Sequence, residues 1–153
     1  MSMKVPFLDL KGQYQKIKAE VDREIQAVID SCAFINGPAT KNFEKNFAKY
    51  CGVKHAVGVA NGTDALHLAL RAIGIGKGDE VITAPNTFIA TTEAITLAGA
   101  TPVFADIHPG TYNIDVSKIE EKITSKTKAI IPVHLFGQPA EMTPILALAK
   151  KYN

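Results

Sequence analysis

Four short stretches of this chain carry residue types that could do chemistry: "ANGTDA" (60–65), "APNTFIAT" (84–91), "DIHPGTY" (106–112) and "VHLFGQPAE" (133–141). In the first, Gly62 would let backbone approach a ligand, and Thr63 and Asp64 open an apolar helical run. Unpaired N–H groups and the positive dipole end there suit a phosphate. A second reading stays open, in which Asn61 or Thr63 simply caps the helix and Asp64 answers the dipole. Phe88 lies at a strand-to-helix junction, where periodicity favours the core. The alternative is a ring aimed at the ligand edge, available for stacking. Of the four histidines only His134 closes a strand at that edge. None pairs at i, i+4, so a zinc site is not expected.

Known phosphate fingerprints do not decide the matter. G-x-G-x-x-G is absent after the first strand, and "GIGKGD" (74–79) lacks the spacing and the Ser/Thr of a P-loop. No serine has a nucleophile-elbow context, and Glu120-Glu121 reads as a solvated helix face.

These residues need elements to hold them. Ile17, Val21, Ile25, Val28 and Ile29 recur at helical spacing, and after the Asn36-Gly37-Pro38 break Phe43, Phe47 and Tyr50 line a second helix ending near Gly52. From His55 onward, β-rich runs alternate with helical ones: strands at 55–60, 80–85, 101–107 and 128–136, helices at 63–73, 89–98, 116–123 and 142–152. Such alternation predicts an α/β three-layer sandwich with a mostly parallel sheet covered on both faces. The chain stops at "AKKYN", where another strand is expected next, so it reads as the front half of a larger domain.

The composition is that of a folded globular chain, 46% hydrophobic over 153 residues. Seventeen Lys and Arg against 15 Asp and Glu leave a net charge of +2 without a basic cluster, which argues against a nucleic-acid or membrane partner. Cys32 and Cys51 lack ligand spacing and are expected to be reduced, buried thiols. The start, "MSMKVPFLDLKGQYQK", has no apolar signal core, so a cytoplasmic location is expected.

"PFLDLKGQY", the run from "INGPATKNFEKNF" through "GVANGTDALHLAL" to "ITAPNTFIATTEAI", and "GATPVFADIHPGTYNID" with "KAIIPVHLFGQPAEM" together resemble the DegT/DnrJ/EryC1/StrS family. These are sugar aminotransferases of fold type I that use pyridoxal 5′-phosphate. The resemblance covers essentially the whole chain. It implies that backbone amides at Gly62 and Thr63 hold the cofactor phosphate, with Asp64 at the same helix start, and that Phe88 stacks on the pyridine ring. It places Asn36, Gly37 and Pro38 near a substrate site built at a homodimer interface, with His134 as a further substrate-side candidate.

The implied reaction moves an amino group from a donor, typically glutamate, to a keto group on a nucleotide-linked sugar. Residues 1–53 would be a helical segment packing on the large domain, and 54–153 the first part of that cofactor-binding domain. In the family, the Schiff-base lysine and the acidic residue at the ring nitrogen come after the point where this chain ends. The segment alone is therefore expected to be inactive. Two alternatives remain, a keto-sugar dehydratase of the same family and a non-catalytic α/β ligand-binding fragment.

Overall fold

The computed structural model describes residues 5–152. The chain divides at Gly58/Val59 into two units. In the first, helix α1 (Leu10–Ser31) opens on Asp9, whose carboxylate accepts the Gly12 N–H at 2.9 Å, and closes at Cys32 in the left-handed region. It is 22 residues long and buries none of them. Helix α2 (Pro38–Cys51) has proline at its first position, where a missing N–H costs nothing, and ends at left-handed Gly52. Gly37 ahead of it is a close-approach glycine, because an added Cβ would stand 2.2 Å from the Ala33 carbonyl oxygen. Phe43 and Phe47 stack at 5.5 Å between ring centroids, and Tyr50 continues the row.

The second unit is built on β1 (Glu80–Thr83), the middle strand of a parallel sheet ordered β2-β1-β3, with β2 at Thr101–Phe104 and β3 at Thr127–Ile131. Val81 pairs with Pro102 on one side and Ala129 on the other. Successive strand residues point to opposite faces, and β1 uses both. Val81 packs with Leu70, Ile75, Ala94, Ile95 and Ala98 under helices α3 (Gly62–Ala72) and α4 (Ala90–Leu97). Ile82 packs with Ala105, Ile114, Ile119 and Ile145 under helix α5 (Met142–Tyr152) and the segment before β3. The result is the three-layer α/β arrangement, with the central strand buried on both sides. Among the described residues no strand lies outside β2 or β3.

Several expected elements come out differently. Residues 55–60 form no strand; Gly58 donates its N–H to the Glu44 carboxylate (2.8 Å) rather than to a neighbouring strand. The expected helix 116–123 is two 3₁₀ turns, Val116–Lys118 and Glu120–Lys122, which place Val116, Ile119 and Ile123 against the core with i, i+3 bonds. The run 128–136 pairs only as far as Ile131, because Pro132 has no N–H to give a ladder; Leu135–Gly137 then turns through a left-handed Phe136. The strand expected over 101–107 pairs only over Thr101–Phe104. The first helix begins a full two turns earlier than its apolar spacing suggested, at Leu10. Cys32 and Cys51 are free but exposed, since each sits at a helix end rather than on a packed face.

One surface network ties α5 to the rest of its layer. Lys151 and Tyr152 both donate to the Glu120 carboxylate. The lysine ammonium holds the Glu120 pKa below the ordinary carboxylate value, and the carboxylate in turn raises that of Lys151. A lowered acid contributes stability that is present above its unfolded pKa and disappears as pH falls through the folded one; the raised lysine contribution disappears as pH rises through its folded value. The end of α5 should thus hold at neutral pH and fray in acid. Hydrogen exchange at Ala149–Tyr152 should show that fraying, Glu120→Gln should reproduce it at neutral pH, and salt should weaken the effect because all three groups are solvent-accessible.

Candidate active site

The first link to the site is helix direction. The Arg71 guanidinium near the end of α3 donates to the Ala98 carbonyl at the end of α4 (3.4 Å), and Leu70, Ile75 and Ala98 share one core cluster. Helices α3 and α4 therefore run side by side in the same sense. Helix α4 starts just after the carboxyl end of β1, so both helices present their N-termini at the carboxyl edge of the sheet. That edge is where open parallel sheets take their ligands.

At the start of α3 the capping and phosphate-seat readings turn out to be compatible. Asn61, extended at φ −164°, accepts the Asp64 N–H through its side chain at 2.9 Å, and its Nδ2 donates to the Asp64 carboxylate at 3.3 Å. The Asn61 carbonyl accepts the Ala65 N–H. The N–H groups of Gly62 and Thr63 have no partner among the described residues. Apart from its chain neighbours and the helix's own backbone, no atom lies within 4 Å of a Cβ built on Gly62. Two amides at the positive end of an 11-residue helix are thus left without a protein partner, beside open space at Gly62, while Asp64 has its own N–H occupied.

Phe88 lies at that edge and is 77% exposed. The core reading fails for a physical reason: Ala94 and Ile95 of α4 already pack against Val81 of β1, and Ala90 is the buried residue at the start of that helix. Thr87 and Thr91 hydrogen-bond through their hydroxyls (2.9 Å), fixing the turn that carries the ring. Thr83, fully buried at the end of β1, donates to the Ile131 carbonyl (2.9 Å) and joins β1 to β3 beneath the site.

His134 follows β3 and is exposed; its Nδ1 accepts the Ala140 N–H at 3.0 Å, which leaves the ring proton on Nε2. Asn113, only 4% exposed, was not singled out from sequence. Its side chain reaches into the same loop, accepting the Leu135 N–H and donating to the Gln138 and Pro139 carbonyls. In "TYNID" it reads as a turn residue, and only its burial distinguishes it. Asn36, Gly37 and Pro38 belong to the first unit; Asn36 is left-handed (φ 49°) and Pro38 begins α2. Among the described residues no three His, Cys, Asp or Glu side chains converge as a metal cage, and no helix is long and apolar enough to cross a membrane.

A phosphate dianion and a flat aromatic ligand are the two chemistries this edge can serve. The amides of Gly62 and Thr63 suit the first and the open face of Phe88 the second. The profile of the DegT/DnrJ/EryC1/StrS aminotransferase family matches residues 15–153. Relatives at 51% identity include the "pleiotropic regulatory protein" of Geobacillus stearothermophilus, over 99% of this chain, and dTDP-3-amino-3,6-dideoxy-alpha-D-galactopyranose transaminase of Aneurinibacillus thermoaerophilus, over 97%. Among solved structures, DesV of S. venezuelae superposes with a TM-score of 0.95 at 46% identity over 99% of this chain and 41% of its own. The ntda protein of Bacillus subtilis, with bound cofactor PMP, superposes at 0.94 and 37% identity over 99% of this chain and 35% of its own. The chain spans about 41% of the length of the two curated relatives.

Proposed function

We propose a function from one premise: this chain belongs to the DegT/DnrJ/EryC1/StrS aminotransferase family. The product of the complete reading frame that contains it transfers an amino group to a nucleotide-linked keto sugar, with glutamate as donor, in amino-sugar biosynthesis in the cytoplasm. The observation that carries this reading is the pair of unpartnered amides at Gly62 and Thr63, with open space beside Gly62, at the edge that also bears exposed Phe88. When bound there, pyridoxal phosphate supplies the electron sink that transamination needs.

The chain's own residues bind and orient. Gly62 and Thr63 donate to the phosphate, Asp64 keeps the helix start in register through Asn61, and the Phe88 ring covers one face of the pyridine. His134 offers its Nε2–H to the substrate. In this reading the Schiff-base lysine and the carboxylate at the ring nitrogen are supplied from outside residues 1–153, and these residues by themselves do not turn over. A homodimer is supported by α1, whose Ile17, Ile25 and Ile29 are each about half exposed, and by the aromatic row of α2.

The test is cofactor retention. Full-length protein passed through a desalting column should keep pyridoxal phosphate, read from its visible absorbance. Phe88→Ala should retain less, with affinity lower by roughly 2- to 10-fold, given that an aromatic pair contributes about 0.5–1.5 kcal/mol. Unchanged retention would return Phe88 to a purely local role.

A further inference from the structure

The loop after β3 is held from outside by one buried side chain. Asn113 Oδ1 accepts the Leu135 N–H at 3.0 Å, and Nδ2 donates to the Gln138 carbonyl at 3.0 Å and to the Pro139 carbonyl at 3.2 Å. An N–H on one side and two carbonyls on the other allow only one orientation of the amide, so the clamp is directional. Asn113 is itself fixed: its carbonyl accepts the His108 N–H at 2.9 Å, and the next residue pairs as Ile107 with Ile114. Both clamped segments carry a non-glycine residue in the left-handed region, Tyr112 (φ 59°) and Phe136 (φ 53°). Such conformations persist only where neighbouring structure holds them. His134 immediately precedes the clamped stretch, and its Nδ1 receives the Ala140 N–H immediately beyond it.

We propose that Asn113 is a positioning residue: by clamping Leu135, Gln138 and Pro139 it keeps His134 Nδ1 on the Ala140 N–H, which selects for the uncharged imidazole the tautomer with its proton on Nε2, directed away from Ala140 as a hydrogen-bond donor. The loop's own bonds, Gly137 N–H to the His134 carbonyl at 3.1 Å and Gln138 N–H to the Leu135 carbonyl at 3.0 Å, shape the turn, and Asn113 is the side chain outside it that ties down both of its ends. That His134 then serves the substrate rests on the reading of the preceding subsection; its tautomer and the dependence on Asn113 do not.

The experiment uses full-length protein labelled with ring-¹⁵N histidine, at a pH where imidazole is neutral. Long-range proton–nitrogen spectra should show a single Nε2–H pattern for His134, identified by its absence in His134→Gln and so told apart from that of His108, whose Nδ1 accepts the Gly110 N–H at 3.1 Å. In Asn113→Ala that pattern should give way to averaged tautomers while His55, His67 and His108 keep theirs. If Asn113→Ala does not fold, Asn113→Asp takes its place, since a carboxylate still accepts from Leu135 and cannot donate to Gln138 or Pro139. A His134 pattern unchanged in the folded variant, or a wild-type ring protonated on Nδ1, overturns the proposal.

Turnover separates the two layers. Asn113→Ala and His134→Gln should each lower kcat/KM by roughly tenfold, and the double variant should lose no more than either alone, as expected when one residue acts through the other. Additive losses overturn the coupling. A His134→Gln variant with wild-type turnover overturns the placement of His134 in the substrate site, and the spectra still decide the clamp.

Discussion

Replacing Gly62 with proline is expected to leave helix α3 in place and to weaken the binding of pyridoxal phosphate by roughly 10- to 100-fold. Gly62 is the first residue of the helix, where proline's fixed φ suits the geometry and the missing N–H has no partner inside the helix. Asn61 ahead of it is extended (φ −164°, ψ 178°), the conformation that a residue before proline prefers. A Cβ added there meets no atom within 4 Å beyond its chain neighbours and the helix's own backbone, and the Asn61–Asp64 side-chain bond does not involve Gly62. What disappears is one N–H aimed at the proposed phosphate, and a hydrogen bond to a charged group contributes about 1.5–3 kcal/mol. Melting of the apo protein should be unchanged or slightly raised, because proline restricts the unfolded chain. Cofactor titration should show the loss. Equal affinity in variant and wild type would mean that the Gly62 amide is not part of the seat.

Ile82→Ala is expected to lower stability by about 4 kcal/mol, within the range for emptying a buried isoleucine site. Ile82 is fully buried in the middle strand, and α5, Ile114 and Ile119 pack over it as one layer. The strands on either side pair with Ile82 and cannot move in without breaking the ladder. Phe104→Ala at the end of edge strand β2, where the ring is 46% exposed, should cost much less. Urea titration of the full-length protein gives both values from the shift in midpoint at constant slope. A loss under about 1 kcal/mol at Ile82 would show that the layer can collapse into the gap.

How much of this was legible in the sequence depended on what each residue answers to. Val81 and Ile82 are adjacent and both fully buried, and a continuous apolar run is what a strand covered on both faces looks like; hence the α/β layering could be read directly. The helix start at Gly62 was legible too, because cap and dipole chemistry are local. Residues 55–60 misled because their composition is that of a strand, while pairing depends on which partners the backbone amides find. Gly58 finds Glu44. Pro132 could have marked the true end of β3 and was outweighed by the apolar residues around it. Phe88 was ambiguous for a deeper reason: periodicity says a ring can be buried, and only the packing of Ala94 and Ile95 on Val81 shows that the space is already filled. Asn113 was out of reach, since its partners lie 22 to 26 residues away and nothing in "TYNID" announces them.

The central claim is amino transfer to a nucleotide-linked keto sugar, and the most direct measurement follows the nitrogen. Full-length protein is incubated with pyridoxal phosphate, ¹⁵N-glutamate and a panel of dTDP-, UDP- and GDP-linked keto sugars, and the products are weighed by mass spectrometry. The account predicts a labelled amino sugar still carrying its nucleotide, formed together with one equivalent of 2-oxoglutarate, and no transfer by residues 1–153 alone. A sugar product that has lost an oxygen without gaining ¹⁵N, or no reaction with any member of the panel by protein that holds the cofactor, would contradict it.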